Sequence, residues 1–191
     1  LVANTTRSSV YVALAALVMR KPYVVHIRDL IEPGSIGSAA TLLMRRLVLP
    51  RASAVVANSR ASLRFVEDVT SEKCVEVVLP SPSGLVLGAP AAGSRKGEGT
   101  TFGMVARLDP WKGQDLLIGA FADAFPEGDE RLVLAGGPAF GHQAYADQLR
   151  SLATARGVAS RVEFLGHVAN VTEVIAGFDV CVQSSVRPEP L

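Results

Sequence analysis

Short apolar runs alternate with longer stretches of helical periodicity along the whole chain. The first half predicts strands at 23–27, 53–57 and 75–78, helices over 5–20 and 34–49, and a further helix capped at Asn58-Ser59. The second half predicts strands at 101–106, 132–135, 162–165 and 180–183, with helices over 112–125, 143–156 and 171–176. Because the strands are mostly apolar rather than alternating, they indicate parallel sheets covered on both faces.

The positions of apolar residues predict which side of three of these helices is buried. The apolar run 10–19 is about half the roughly 20 residues needed to cross a bilayer, so we expect a buried helix there. The residues predicted to face the core in helix 34–49 are Leu42, Leu43, Leu47 and Val48. In helix 112–125 they are Leu116, Leu117, Ala120, Phe121 and Ala124.

A stretch with the composition of a linker separates the two halves. Residues 80–100 hold three prolines, several glycines and a short charged run. We therefore predict an α/β protein with two Rossmann-like domains: part of a first domain at 1–80, a linker at 81–100 and a second domain at 101–191. The chain starts at Leu1 and ends just after Pro190, so we expect both domains to be cut.

Composition narrows the possible partners. The chain is 49% hydrophobic and 19% charged, which is typical of a packed globular core, and its net charge of +1 predicts no nucleic-acid partner. Cys74 and Cys181, the only cysteines, are expected to be unpaired thiols in a reducing, cytoplasmic compartment. Three scattered histidines and two cysteines predict no metal site.

Two cations lie near the end of the first strand of the second half. Ligands of parallel α/β sheets bind beyond the C-terminal ends of the strands, which makes strand-end residues the candidates. Arg107 follows strand 101–106, and Lys112 is expected in the opening turn of the next helix. Cations beside the free N–H groups of a helix N-terminus favour a bound phosphate, and a solvated surface pair is the alternative.

The other strand ends of this half offer weaker candidates. Gly136 and Gly137 allow a ligand or backbone to approach closely, although a plain turn also explains them. The stretch Gly166-His167-Val168 can present backbone groups to a flat base, and an incidental histidine is the alternative. Glu189 stands between two prolines and suits hydrogen bonds to sugar hydroxyls, unless it is a solvated loop residue.

In the first half, two strand ends carry polar residues. His26 lies near the end of strand 23–27, where it either faces a cleft between lobes or packs at the sheet edge. Asn58-Ser59-Arg60 follows the next strand, and helix capping explains its first two residues.

Together these segments resemble glycosyltransferase family 4, the retaining enzymes with the GT-B fold. The resembling segments are VVHIRDL at 24–30, AVVANS at 54–59, FGMVARLDPWKG at 102–113, LVLAGG at 132–137, VEFLGHV at 162–168 and VQSSVRPEPL at 182–191. Their order and spacing also fit, and the resemblance covers nearly the whole chain. Departures are the absence of the family's Gly-rich loop and of the second Glu of its paired motif, and Pro82-Ser83-Gly84 in place of an Asn-Gly turn.

The resemblance implies a role for each candidate. Arg107 and Lys112 would bind the donor diphosphate, and Glu189 would bind the donor sugar. The stretch Gly166 to Val168 would hold the base, and His26 would lie near the transferred sugar. The predicted catalytic residues are His26, Arg107, Lys112 and Glu189. The predicted donor-binding residues are Gly103, Arg107, Lys112, Gly136, Gly137, Gly166, His167, Val168 and Glu189.

The implied reaction is transfer of a sugar, with retention, from a UDP- or GDP-linked donor to a hydroxyl of a glycan, lipid or small molecule. We expect no required cofactor or metal, a place in polysaccharide biosynthesis, and no activity of this chain alone. The alternatives are a nucleotide-sugar epimerase or phosphorylase of the same fold, and a non-catalytic bilobed protein that binds nucleotides or small molecules. Arg45, Arg46 and Arg51 near an apolar helix could touch the inner face of the membrane, and a solvated helix face is the alternative.

Overall fold

The computed structural model describes residues 1–70, 99–138 and 141–189, together with the backbone of 75–77. Its contacts divide the chain into two units, Leu1–Ser83 with Pro188–Leu191, and Gly84–Arg187. Each unit has a four-stranded parallel sheet flanked by helices, which confirms the predicted α/β class. Cys74 and almost all of the predicted linker at 81–100 lie outside the described residues.

The first unit has the strand order β1-β2-β3-β4. Its strands are β1 (Val2–Ala3), β2 (Val24–Ile27), β3 (Ala54–Ala57) and β4 (Val75–Val77). Its helices are α1 (Thr6–Met19), α2 (Pro33–Ile36), α3 (Ser38–Leu43), a π turn (Met44–Val48), a 3-10 turn (Leu49–Arg51), α4 (Arg60–Arg64) and α5 (Glu67–Thr70). Strand β1 was not predicted, since two residues are too few to show a pattern.

The segment predicted as one helix over 34–49 is broken in the structure. Gly37, with φ of 85°, separates α2 from α3, and the π turn follows α3 without a gap. A π turn holds more residues than an α turn, so the side chains after it rotate away from an ideal helical stripe. Val48, predicted to face the core, is buried together with Met44. Leu47, within the π turn, and Leu42, which precedes it, were also predicted to face the core but are exposed.

Helix α1 also differs from its prediction. Thr5 and Ser8 form a reciprocal capping box at its start, and Arg20 ends it in a left-handed conformation. The predicted burial of residues 10–19 is wrong, because Leu17 and Val18 are 72% and 84% exposed and Ala16 is the buried residue of that turn. The small side chain lets the helix lie close to the core, which turns the larger side chains outward.

The second unit has the strand order β7-β6-β5-β8, with all neighbours parallel. Its strands are β5 (Thr101–Val105), β6 (Arg131–Ala135), β7 (Val162–Gly166) and β8 (Val180–Cys181). Its helices are α6 (Gln114–Ala124), α7 (Gln143–Ala155) and α8 (Val171–Ala176), with 3-10 turns at Pro110–Lys112 and Ala159–Arg161. The chain moves outward from β5 to β7 and then returns to the other side of β5, which makes a topological switch point between β5 and β8.

The core of the second unit corrects the predicted face of α6. Ile118, Phe121 and Ala122 are buried, whereas Leu116 is 59% exposed and Ala120 and Ala124 are exposed as well. The buried stripe starts at Gln114. Because this residue is polar, the pattern of apolar residues did not show which face of the helix is buried.

Candidate functional site

A small cavity opens at the switch point, beyond the C-terminal ends of β5 and β8. Its volume is about 100 Å³. Its lining residues are Met104, Val105, Ala106, Lys112, Val182, Gln183 and Ser185. In open α/β sheets this crevice is the general place for ligands, and Lys112 lines it, while its role in donor binding stays a prediction.

Arg107 lies two residues beyond β5, on a backbone held by a buried side chain. The Arg107 carbonyl accepts a hydrogen bond of 2.7 Å from Nε2 of Gln114, which is only 1% exposed. The guanidinium is about half exposed and lies 3.9 Å from a carboxylate oxygen of Asp109. The helix thus fixes the loop while the charged end of Arg107 faces solvent.

The turn that carries Lys112 precedes α6 and does not belong to it. Asp109 begins the 3-10 turn Pro110–Lys112 by accepting a 2.9 Å hydrogen bond from the Trp111 N–H. Gly113 follows with φ of 68°, and α6 then starts at Gln114. The expectation of Lys112 in the opening turn of the helix is therefore corrected, because Pro110 and the left-handed Gly113 close a separate turn.

The loop after β8 is bonded to this turn. The Ser184 hydroxyl donates at 3.0 Å to the carbonyls of both Lys112 and Gly113, and the Val186 N–H donates at 2.9 Å to the Trp111 carbonyl. A Cβ at Gly113 would lie 2.2 Å from the Ser184 carbonyl oxygen, so this close approach requires glycine. These contacts hold the backbone of Lys112 against the end of β8.

The strand-end loops of β5, β6 and β7 are joined through backbone groups. The Gly136 N–H donates at 2.7 Å to the Gly166 carbonyl, and the Leu108 N–H donates at 3.0 Å to the Gly137 carbonyl. A Cβ at Gly136 would lie 1.9 Å from the Ala106 carbonyl oxygen. The structure therefore brings Gly136, Gly137 and Gly166 together with the segment that leads into Arg107.

Other predicted site residues have different surroundings. His167 is exposed and Val168 is half-buried just beyond β7, and Gly103 lies inside β5 with the Phe178 ring packed on it. Glu189 is half-buried and groups with the first unit. The roles predicted for these four residues stay predictions.

In the first unit, His26 is the third of the four residues of β2, and its ring contacts Asn4. Its Nδ1 lies 2.7 Å from Oδ1 of Asn4, and an oxygen acceptor requires the proton on Nδ1. Its Nε2 is buried without a hydrogen-bond partner among the described residues. Ser59 accepts a 3.1 Å hydrogen bond from the Ser62 N–H, which agrees with its predicted capping role.

Several residues that surround the predicted site residues within each unit were not singled out from the sequence. They are Asn4, Asp109, Gln114, His142 and Ser184. His142 approaches the same Asp109 oxygen as Arg107 does, with Nε2 at 3.9 Å. Of these residues, the sequence could have indicated only the burial of Gln114. It lies four residues before the buried Ile118, on the same face of the helix.

Tyr145 connects α7 to the start of α6. Its hydroxyl donates to Oδ1 of Asp115 at 3.0 Å. Burial first, and then this hydrogen bond, raises the pKa of Tyr145 to about 12, so its phenol stays protonated at neutral pH. Within the described ranges, no group of three or more His, Cys, Asp or Glu side chains could hold a metal ion.

The structure is an α/β protein with parallel sheets and a small cavity at the switch point of its second sheet. The family described as Glycosyl transferases group 1 matches residues 90–191, which is more than half of the chain. The chain belongs to this family. No protein of the curated set matches it significantly.

Solved structures extend the similarity over the whole chain. HepE from Anabaena, in complex with UDP and glucose, is 30% identical over 100% of this chain and 53% of its own, with a TM-score of 0.82. The complex of HepE with UDP-glucose is 29% identical over 100% of this chain and 54% of its own, with a TM-score of 0.82. Sucrose-phosphate synthase from Thermosynechococcus elongatus is 19% identical, with 100% and 51% covered and a TM-score of 0.76, a likeness of fold. The chain spans about half the length of these proteins.

Among the described residues, no helix is long and apolar enough to span a membrane.

Proposed function

We propose that this chain carries the donor-binding part of a family 4 retaining glycosyltransferase. In the proposed reaction, a sugar moves from a nucleoside diphosphate sugar to a hydroxyl of a glycan, lipid or small molecule. One observation carries the proposal: Arg107 and Lys112 lie on the single segment that joins β5 to α6, and Gln114 and Ser184 hold its backbone through the carbonyls of Arg107 and Lys112. Charges fixed before the reaction stabilise a developing anion better than charges that must first be ordered.

The chemistry that these cations would assist is departure of the diphosphate. The bond between the anomeric carbon and the diphosphate oxygen breaks, and negative charge grows on that oxygen. The acceptor hydroxyl transfers its proton to the departing diphosphate as the new glycosidic bond forms. Arg107 can hold two phosphate oxygens through its planar guanidinium, and Lys112 adds a point charge beside the N-terminus of α6. Retention of configuration rests on the resemblance to family 4.

The remaining roles concern the two ends of the donor. Glu189 is proposed to bind hydroxyls of the sugar, and the Gly166 to Val168 stretch to hold the base. His26 is proposed to lie near the transferred sugar, where its unpartnered Nε2 would form a hydrogen bond with a sugar hydroxyl. The UDP and UDP-glucose complexes of HepE support a uridine donor over a guanosine donor. We also propose that the protein is cytoplasmic and acts in polysaccharide biosynthesis, which is consistent with this reaction.

The test of the donor site is calorimetry of this chain with UDP, GDP and uridine. We expect UDP to bind and uridine to bind far more weakly, because the diphosphate carries most of the interaction. Arg107→Ala should weaken UDP binding by about 10- to 100-fold, since hydrogen bonds to charged groups contribute roughly 1.5–3 kcal/mol. Arg131→Ala, which removes an exposed arginine at the start of β6, is the matched control and should leave UDP binding unchanged.

Equal binding of UDP and uridine would contradict the diphosphate role of the cations. Equal loss of affinity in the Arg107 and Arg131 variants would show that only net charge matters. Sugar transfer itself is assayed in a protein with the full length of the relatives, where Lys112→Ala should sharply reduce turnover.

A further inference from the structure

The loop that follows β8 runs along the turn that carries Lys112. The Ser184 hydroxyl donates to the Lys112 carbonyl at 3.0 Å, and the Val186 N–H donates to the Trp111 carbonyl at 2.9 Å. Both partners of each bond belong to the second unit, and so does Arg187, the next residue of the loop. These bonds therefore bring the backbone of Arg187 beside the turn of Lys112.

The guanidinium of Arg187 lies over the ring of Trp111. Its central carbon is 5.5 Å from the centroid of the ring, which is within the range of a cation–π contact. The indole is half-buried and its Nε1 is buried, so one edge of the ring is fixed against the protein. Pro188 follows Arg187 and restricts its backbone to extended conformations. This exposed arginine is thus held by the ring and by its own backbone.

The charge balance of the site favours a further cation. Asp109 lies 3.9 Å from the Arg107 guanidinium and offsets part of its charge. The described residues that line the cavity include Lys112 and no carboxylate. Two cations and one carboxylate leave a single positive charge, whereas the terminal phosphate of a free diphosphate alone carries about two negative charges at neutral pH.

We propose that Arg187 is a third cation of the donor site and binds the phosphate that lies farther from the nucleoside. Trp111 is then a positioning residue, because it orients the guanidinium without touching the donor. A guanidinium is planar, so the ring that holds it also sets the plane in which its N–H groups meet two phosphate oxygens. The inference rests on the proposed donor site and names a residue to which the resemblance gives no role.

The experiment is calorimetry of this chain with UDP and with UMP, which lacks the second phosphate. Arg187→Gln should weaken UDP binding about 10-fold, because a hydrogen bond to a charged group is lost, and should leave UMP binding unchanged. Arg187→Lys keeps the charge but not the planar group, so it should recover part of the affinity for UDP.

Arg150 provides a matched control in the same unit. It is also exposed, and its guanidinium lies 5.1 Å from the centroid of the Phe164 ring. It belongs to α7 and contacts β7, which lies two strands away from β5 in the sheet. Arg150→Gln removes the same charge and a similar ring contact, so it should leave the binding of both nucleotides unchanged. Circular dichroism checks that every variant is folded.

A double-mutant cycle tests the role of Trp111. Trp111→Leu removes the aromatic face and should weaken UDP binding about 2- to 5-fold, the usual contribution of a cation–π contact at an exposed site. The same substitution in the Arg187→Gln protein should have no further effect on UDP binding, because no guanidinium is left to orient. A ring that only stabilised the fold would weaken UDP binding equally in both backgrounds.

Failure of the inference can be distinguished from failure of the proposed donor site. If the unsubstituted chain binds UDP and uridine equally, both are overturned. If it prefers UDP, the inference alone is overturned by unchanged UDP binding in Arg187→Gln, by equal weakening of UDP and UMP, or by an equal loss in Arg150→Gln. Additive effects of Trp111→Leu and Arg187→Gln would overturn the positioning role of the ring.

Discussion

At the residue scale, Gln114 is a polar residue in a core position that holds the loop of Arg107. It is buried at the start of α6, and its Nε2 holds the Arg107 carbonyl, while its Oε1 has no hydrogen-bond partner among the described residues. An unpartnered buried oxygen is costly, so this glutamine costs stability in return for a fixed loop.

This reasoning predicts that Gln114→Leu separates affinity from stability. Loss of one hydrogen bond to the loop should weaken UDP binding about 5- to 10-fold, since such a bond contributes roughly 1 kcal/mol. The free energy of unfolding should change little, because leucine fills the site and removes the unpartnered oxygen. Calorimetry and urea unfolding measure the two effects, with Gln143→Leu on α7 as the control. Unchanged UDP binding in a folded Gln114→Leu protein would remove the positioning role.

At the element scale, the turn 110–113 depends on one glycine. Gly113 and Gly157 have nearly the same backbone conformation, with φ of 68° and 72°, but different surroundings. A Cβ at Gly113 would meet the Ser184 carbonyl, whereas a Cβ at Gly157 would meet no atom within 4 Å.

Alanine at these two positions should therefore have unequal effects. Both substitutions cost about 1–2 kcal/mol for the left-handed conformation, and Gly113→Ala should cost about 1–3 kcal/mol more because of the clash. Urea unfolding of the two variants gives the difference directly. Equal losses would mean that the β8 loop moves aside without cost.

Elements differ in how well the sequence predicts them, for physical reasons. Strands β2, β3, β5, β6 and β7 were predicted within one residue at each end, because strands buried in a parallel sheet must be continuously apolar. Buried faces were predicted poorly in α1, α6 and the region of the π turn. A run of leucines does not show which of them face the core, and an unforeseen π turn shifts every later position.

The candidate site was predictable to a similar degree. Arg107, Lys112 and Gly136 could be chosen as candidates because they follow strands, and the topology places the C-terminal ends of parallel strands at one edge of the sheet. The hydrogen bonds of Gln114, Ser184 and Asn4 could not be predicted, since they join residues 7, 72 and 22 positions from their partners. Such contacts depend on the three-dimensional arrangement and leave no local pattern.

At the scale of the whole molecule, the described residues form two hydrophobic cores, one in each unit. One contains Met44 and Val55 of the first unit, and the other contains Ile118 and Leu149 of the second. The single tryptophan, Trp111, belongs to the second unit.

Two cores predict two separable unfolding transitions. Leu149→Ala should lower the stability seen by Trp111 fluorescence by about 2–5 kcal/mol, the usual cost of such a truncation. Met44→Ala should lower the stability of the first unit, which circular dichroism detects, and leave the fluorescence transition in place. If both variants shift both signals equally, the chain unfolds as one cooperative body.

The bond from Ser184 to the turn at Lys112 also has a consequence for the order of assembly. The hydroxyl that fixes the carbonyls of Lys112 and Gly113 lies 72 and 71 residues later in the chain, just beyond the last strand of its sheet. During synthesis the turn emerges early but gains these contacts only after β8 has joined β5, because such distant contacts close late. The lysine loop is thus completed by the end of the second unit, and any chain that stops before Ser184 leaves it unfinished.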